Sequence, residues 1–138
     1  MLFVDLPPGA ERTVQYADFF TPRMSFVLVT IPSQVSRGVV ARSIAALAKH
    51  RNHVLGYVEN MSGYYCRECD DIKPLFSSAG SPDLGIPCLG TVPFDPELAR
   101  HCDLGLPFGA LSATPVGRAL DQIGQRLIDR LESSRNPR

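Results

Sequence analysis

The run Ser25-Phe26-Val27-Leu28-Val29-Thr30-Ile31 constrains the fold of this chain more than any other stretch. Its apolar, β-branched character is unbroken from Phe26 to Val29, as expected of a strand buried on both faces of a sheet. Pro32 stops it. A helix is predicted from about Gln34 to Lys49, where Val40, Ile44, Leu47 and Ala48 recur on one face at helical spacing. A second apolar run, His53 to Val58, follows at once. Strand, helix and strand in so short a span imply a parallel pair joined by a right-handed crossover. The chain is therefore read as α/β, a mostly parallel sheet with flanking helices.

The remaining elements fit that frame. Leu2 to Leu6 is expected to form a short strand stopping at Pro7-Pro8-Gly9, and Arg12 to Phe20 a short helix ended by Thr21-Pro22. Pro87 to Val92 reads as a further strand, after which Pro93-Phe94-Asp95-Pro96 opens a helical turn ending near Cys102. In the last helix Thr114 is the N-cap, Pro115 the first helical residue, and Val116, Leu120, Ile123, Leu127 and Leu131 the apolar stripe. Residues 1–132 are expected to form one domain, with a polar tail, 133–138, that frays. Cys66 to Gly85 is the one long irregular stretch, a length associated with functional loops.

Fourteen basic and fourteen acidic residues give no net charge, which argues against a nucleic-acid footprint or a polybasic membrane patch. The longest apolar runs are too short to cross a bilayer. Met1 to Val4 meets Asp5 without a basic region, so it is expected to be a strand and not a signal peptide. A cytoplasmic location is expected.

Cys66-Arg67-Glu68-Cys69 lies just past the carboxyl end of the His53–Val58 strand, the edge where open α/β sheets bind ligands. Two thiolates at this spacing grip one soft metal centre but supply half of a four-ligand shell. A metal held here takes its other ligands most simply from a second copy of the chain. A shared structural zinc, a disulfide and a redox dithiol are the competing readings. The redox dithiol is the poorest, because its reactive cysteine sits at a helix N-terminus and Tyr64-Tyr65-Cys66 shows no helix start. Cys88 and Cys102 read as ordinary buried thiols. His50 and His53 read as polar capping, and His101 beside Cys102 as a weak metal lead.

Several segments, in order along the chain, resemble the iron–sulfur carrier ATPases of the Mrp/ApbC type, a branch of the ParA/MinD class of P-loop proteins. They include Asp5-Leu6-Pro7-Pro8-Gly9, Val29-Thr30-Ile31-Pro32, Glu59-Asn60-Met61-Ser62 with Cys66 and Cys69, and Gly90-Thr91-Val92-Pro93-Phe94-Asp95. The resemblance implies the P-loop NTPase fold and a role in iron–sulfur cluster assembly. It implies that Asp5 holds Mg²⁺ through water, that Gly9 lets the backbone approach the γ-phosphate of Mg-ATP, and that Asn60 reads the adenine edge beside Pro93 and Phe94. It further implies that Cys66 and Cys69 of two subunits bridge one [4Fe–4S] cluster in a homodimer, which then serves cluster-accepting apo-proteins.

The chain also departs from the family. It contains no G-x-x-x-x-G-K-[ST] loop and only two lysines, Lys49 and Lys73. The expectation is a ParA/MinD-like fold lacking its N-terminal strand and phosphate loop. An open sheet edge and no ATP hydrolysis by the chain alone follow from that. Arg67 and Asp70 replace the family's usual proline and glycine, and Val39 stands where an aspartate is common. Phe76 to Pro87 is shorter by about one helical turn, roughly four residues, and Gly80-Ser81-Pro82 stands where a helix is usual.

Overall fold

In the computed structural model, residues 2–7, 9–20, 24–50, 53–76 and 83–135 are described. The order is α1 (Ala10–Phe19), β1 (Ser25–Thr30), α2 (Gln34–Leu47), β2 (His53–Cys66), β3 (Asp71–Lys73), β4 (Cys88–Phe94), α3 (Pro96–Asp103) and α4 (Pro115–Arg135). A 3-10 turn, Phe108–Leu111, precedes α4. β1 and β2 run parallel from Ser25↔His53 to Thr30↔Glu59 with a register shift between Phe26 and Val27, and β4 runs parallel along the other edge of β2. The expected crossover is thus present, with α2 between two adjacent parallel strands.

β2 does not stop at Val58. It continues through Asn60 and turns antiparallel to β3, pairing Tyr64↔Lys73, Tyr65↔Ile72 and Cys66↔Asp71. Met61, with φ 53°, is the left-handed residue within this extension. The stretch read as an irregular loop is therefore partly a hairpin. A long strand gains pairing twice: with β1 and β4 in the sheet, and with β3 beyond it.

The two sheet faces carry separate cores. Phe26 packs with Ala17 of α1 and Leu47 of α2, joined by Leu6, Leu28 and Val54. On the opposite face Leu89 and Val92 pack against Val116 and Ile123 of α4, with Val27 and Val58 beside them. The split between Phe26 and Val27 follows the alternation of side chains along a strand. Side chains start the helices as the sequence requires. Ser33 accepts the Ser36 N–H at 3.2 Å and Thr114 Oγ1 that of Gly117 at 3.1 Å.

Four expectations need correction. Leu2 to Leu6 is not a strand: no strand lies alongside it among the described residues, Leu2 and Phe3 stand exposed, and only Leu6 reaches the core. Apolar content without a pairing partner does not make a strand. Cys88 and Cys102 are exposed rather than buried, because Cys88 opens a sheet-edge strand and α3 buries none of its residues. Helix α2 ends at Leu47, with Ala48 as its exposed cap. Helix α4 runs through Arg135, so Ser133 to Arg135 are helical. Pro8, Thr21-Pro22, Gly80-Ser81-Pro82 and residues 136–138 fall outside the described residues.

Among the described residues the outer edge of β1 has no partner, and Val29 on it is 62% exposed. No helix among them is long and apolar enough to cross a membrane.

Candidate metal centre and adjoining cavity

The hairpin places the two cysteines at its tip. Cys66 is the last residue of β2, and Arg67 to Asp70 form the turn into β3. No helix begins there, which removes the geometry a redox dithiol needs. Neither thiol is in a disulfide, Cys69 is exposed and Cys66 partly so. A hydrogen bond from the Cys69 side chain, with backbone N–H bonds from Cys69 and Glu68, holds the Cys66 thiol below its ordinary range. Hydrogen bonds that favour the charged form of one thiol, with a second thiol alongside, suit a soft metal ion.

Asp70 has φ 49°, the left-handed conformation that the family's glycine enters without strain. The hydroxyl of Tyr65 donates to Asp70 Oδ1 at 2.8 Å across the turn, and that bond, first among the causes, raises the Tyr65 phenol. The chain thus replaces a permissive residue by one that a hydrogen bond holds in place.

Three consecutive residues at the end of β4 meet the surroundings of this tip. Pro93 is buried and lines a cavity of about 550 Å³ together with Glu59, Ser62, Ile72, Thr91 and Gln122. Phe94 stacks on Tyr64 with ring centroids 6.3 Å apart. Asp95, 2% exposed, caps α3 by accepting the Glu97 N–H at 2.9 Å and lies 3.5 Å from Arg67 Nη2. The hairpin supplies Ser62 and Ile72 to one wall of the cavity, and α4 supplies the wall opposite.

The expected nucleotide residues are less well gathered. Asn60 accepts the Met61 N–H at 2.9 Å through its own carboxamide oxygen, a local turn contact. Asp5 and Gly9 belong to the N-terminal segment. Neither lines the cavity, and no hydrogen bond or ion pair joins them to Asn60 or Pro93 among the described residues. Gly9 caps α1, its carbonyl accepting from the Thr13 hydroxyl at 2.9 Å. Arg118 lines the cavity with its guanidinium tied to the Ala113 carbonyl. Of Asp5, Gly9, Asn60 and Pro93, Pro93 alone lines the cavity.

Glu59 and Tyr57, two strand positions apart, are buried polar groups that sequence reading passed over. Burial raises the Glu59 carboxyl, opposed by the Arg37 guanidinium, and Glu59 Oε2 has no hydrogen-bond partner among the described residues. Burial, then Cys88, pushes the Tyr57 phenol up to about 12. Arg67, Tyr65 and Asp95 were also missed. The one available signal was Arg67 and Asp70 standing where the resemblance predicts proline and glycine. Among the described residues no three His, Cys, Asp or Glu side chains converge on one point. His101 and Cys102 therefore gain no companions there.

The mainly parallel sheet with flanking helices is shared with P-loop NTPases of the ParA/MinD class. The solved MinD of Pyrococcus furiosus superposes with a TM-score of 0.58 at 21% identity, over 76% of this chain and 42% of its own. A nucleotide-binding protein from Archaeoglobus fulgidus, solved in complex with ADP, superposes at 0.61 with 28% identity, over 72% of this chain and 43% of its own. Residues 1–128 match the ParA family described as NUBPL iron-transfer P-loop NTPase, and the chain belongs to that family. Its curated relatives include the cytosolic Fe-S cluster assembly factors NUBP2 of Gallus gallus, 38% identical, and Homo sapiens, 36% identical, each over 93% of this chain. The chain spans about half the length of those relatives, 50% in both cases.

Proposed function

We propose that this chain acts in iron–sulfur cluster assembly, using Cys66 and Cys69 as half of the Cys₄ shell of a [4Fe–4S] cluster shared by two copies in the cytoplasm. The observation that carries the reading is the hairpin-tip thiol pair, free, accessible and hydrogen-bonded for thiolate character, in a member of an iron-transfer family. A [4Fe–4S] cluster takes four cysteine thiolates, and one tip offers two. The partner of the cluster-bearing form is therefore a second tip, and the recipients are apo-proteins with free thiols of their own. Within one chain the work of Cys66 and Cys69 is to bind and orient. The exposed turn lets a recipient approach, and the amides around Cys66 hold its charge. Iron and sulfide here are cargo.

Anaerobic reconstitution with iron and sulfide, followed by iron counting, visible absorbance and sedimentation, tests the reading. The expected result is cluster retention with dimer formation, abolished in the Cys66→Ser, Cys69→Ser variant. No retained iron, or full retention by that variant, overturns it.

A second reading is a metal-binding dimerisation module, zinc in place of the cluster, with no ATP binding. It is favoured by the separation of Asp5 and Gly9 from Asn60 and Pro93, and by the acidic Glu68, Asp70 and Asp71, which suit a cation better than an anionic cluster. Calorimetric titration with Mg-ATP separates the two: micromolar binding by this chain removes the module reading. Asp5, Gly9, Asn60 and Pro93 then become the nucleotide contacts to mutate.

A further inference from the structure

The residue between the thiols that departs most from the family pattern is also the one that ties the turn down. Arg67 Nη2 lies 3.5 Å from Asp95 Oδ2, joining the hairpin tip to the β4–α3 junction. The two ends of this pair are unequal. The Arg67 side chain is half exposed, while that of Asp95 is fully buried. One Asp95 oxygen is committed to the Glu97 N–H, and the other has no hydrogen-bond partner among the described residues. A carboxylate buried in this state is costly unless a cation stands by it. The next cation along, Arg100, is committed to Glu97 through bonds of 2.9 to 3.2 Å. Arg67 is therefore the charge that Asp95 is built around.

The pair does not act alone on the tip. Tyr64 stacks on Phe94 on the other side of Cys66, so the first thiol is bracketed by two contacts to consecutive residues of one junction. Without them the turn is held by β3, three exposed residues, and by the Tyr65–Asp70 bond. An edge pairing that short is weak by itself.

We infer that Arg67 is a positioning residue for the thiol pair. Its ion pair with Asp95 pins the Cys66–Cys69 turn to the β4–α3 junction and thereby sets the metal affinity of the two thiols. This rests on the reading that the thiols hold a metal. Arg67 touches neither thiol's ligand in this scheme. It acts by restricting where the turn goes, which removes the ordering cost from the binding step.

The test uses the full chain as wild type, R67Q, D95N and the double variant. Asn caps a helix as well as Asp does, so D95N keeps the Glu97 contact and the fold. Two quantities are read: hydrogen exchange of the 66–70 turn without metal, and Co²⁺ affinity followed by thiolate–cobalt charge-transfer absorbance. The pin predicts that R67Q and D95N each speed exchange in the turn and each weaken Co²⁺ about five- to tenfold, while the double variant is no worse than either. A through-space charge effect gives opposite signs instead, tighter Co²⁺ in R67Q and looser in D95N. Unchanged exchange in R67Q, tighter Co²⁺ in R67Q, or additive losses in the double variant would each overturn the pin. Absence of thiolate–cobalt absorbance in the wild type would instead remove the metal reading. Turn exchange alone would then decide whether the ion pair orders the tip.

Discussion

The hairpin that presents the thiols depends on one glycine, and replacing it isolates the hairpin from the rest of the fold. A methyl group at Gly63 would lie 2.5 Å from Ile72 Cγ2 and 2.9 Å from the Lys73 carbonyl oxygen. The side chain has some room to rotate, but the carbonyl belongs to the backbone of β3, so Gly63→Ala forces β3 outward. Overpacking of this kind costs about 1–3 kcal/mol. Each net hydrogen bond in a three-residue pairing returns about 0.5–1.5 kcal/mol, so strain and pairing are of similar size. The hairpin should therefore open about 5- to 150-fold more often. Global stability falls by no more than the hairpin itself contributes, because the strain vanishes once β3 leaves, and both core clusters lie elsewhere. Hydrogen exchange resolved by segment is the assay. Faster exchange in residues 61–73 with near-wild-type protection in β1 and α2 is expected, together with weaker metal binding at Cys66 and Cys69. Wild-type protection of that segment in Gly63→Ala would refute the claim that close approach of β3 holds the tip.

Glu59→Gln should stabilise the protein at neutral pH. The folded carboxyl holds its proton more tightly than an ordinary Glu near 4.5. Its contribution is therefore complete below that value and fades as pH rises through the folded one, at about 1.4 kcal/mol per pKa unit. Thermal midpoints from pH 4 to 8 should diverge in favour of the variant. Thr114→Ala removes the oxygen that receives the Gly117 N–H and should cost about 1 kcal/mol in chemical denaturation. Val29→Lys places a charge on the open edge of β1, where the native side chain is 62% exposed. Sedimentation should show less self-association, with a stability change within about 0.5 kcal/mol.

The parts of this fold that sequence made legible are those whose cause is local. The apolar run from Phe26 to Val29, the helical spacing after Pro32, and Thr114 followed by Pro115 each carry their reason within a few residues. Parallel pairing of β1 with β2 followed from them because a short crossover admits little else. The errors fall where structure depends on a distant partner. Leu2 to Leu6 has strand composition but, among the described residues, no ladder beside it. The extension of β2 through Asn60 to Cys66 mixes polar, aromatic and glycine residues, and its antiparallel mate has three residues, too few to show a period. Exposure of Cys88 depends on its strand lying at an edge. For the candidate site, the Cys66–Cys69 spacing is visible in the sequence, whereas Arg67 and Asp95 meet only after β4 has docked on β2.

That last contact bears on why the thiols stand on a hairpin beyond the sheet. A ligand shared between two copies needs donors that project past each copy's own helices, yet a projecting turn is mobile and binds weakly. On the proposed shared-ligand reading, both demands are met by the contacts that tie the tip sideways to β4, Tyr64 on Phe94 and Arg67 on Asp95. β4 is itself fastened to α4, where Arg126 donates to the Leu89 carbonyl at 2.7 Å and Ile123 closes over Gly90. Pro93, Phe94 and Asp95 thus connect cavity, ring stack and thiol turn along three residues, about 10 Å of extended backbone.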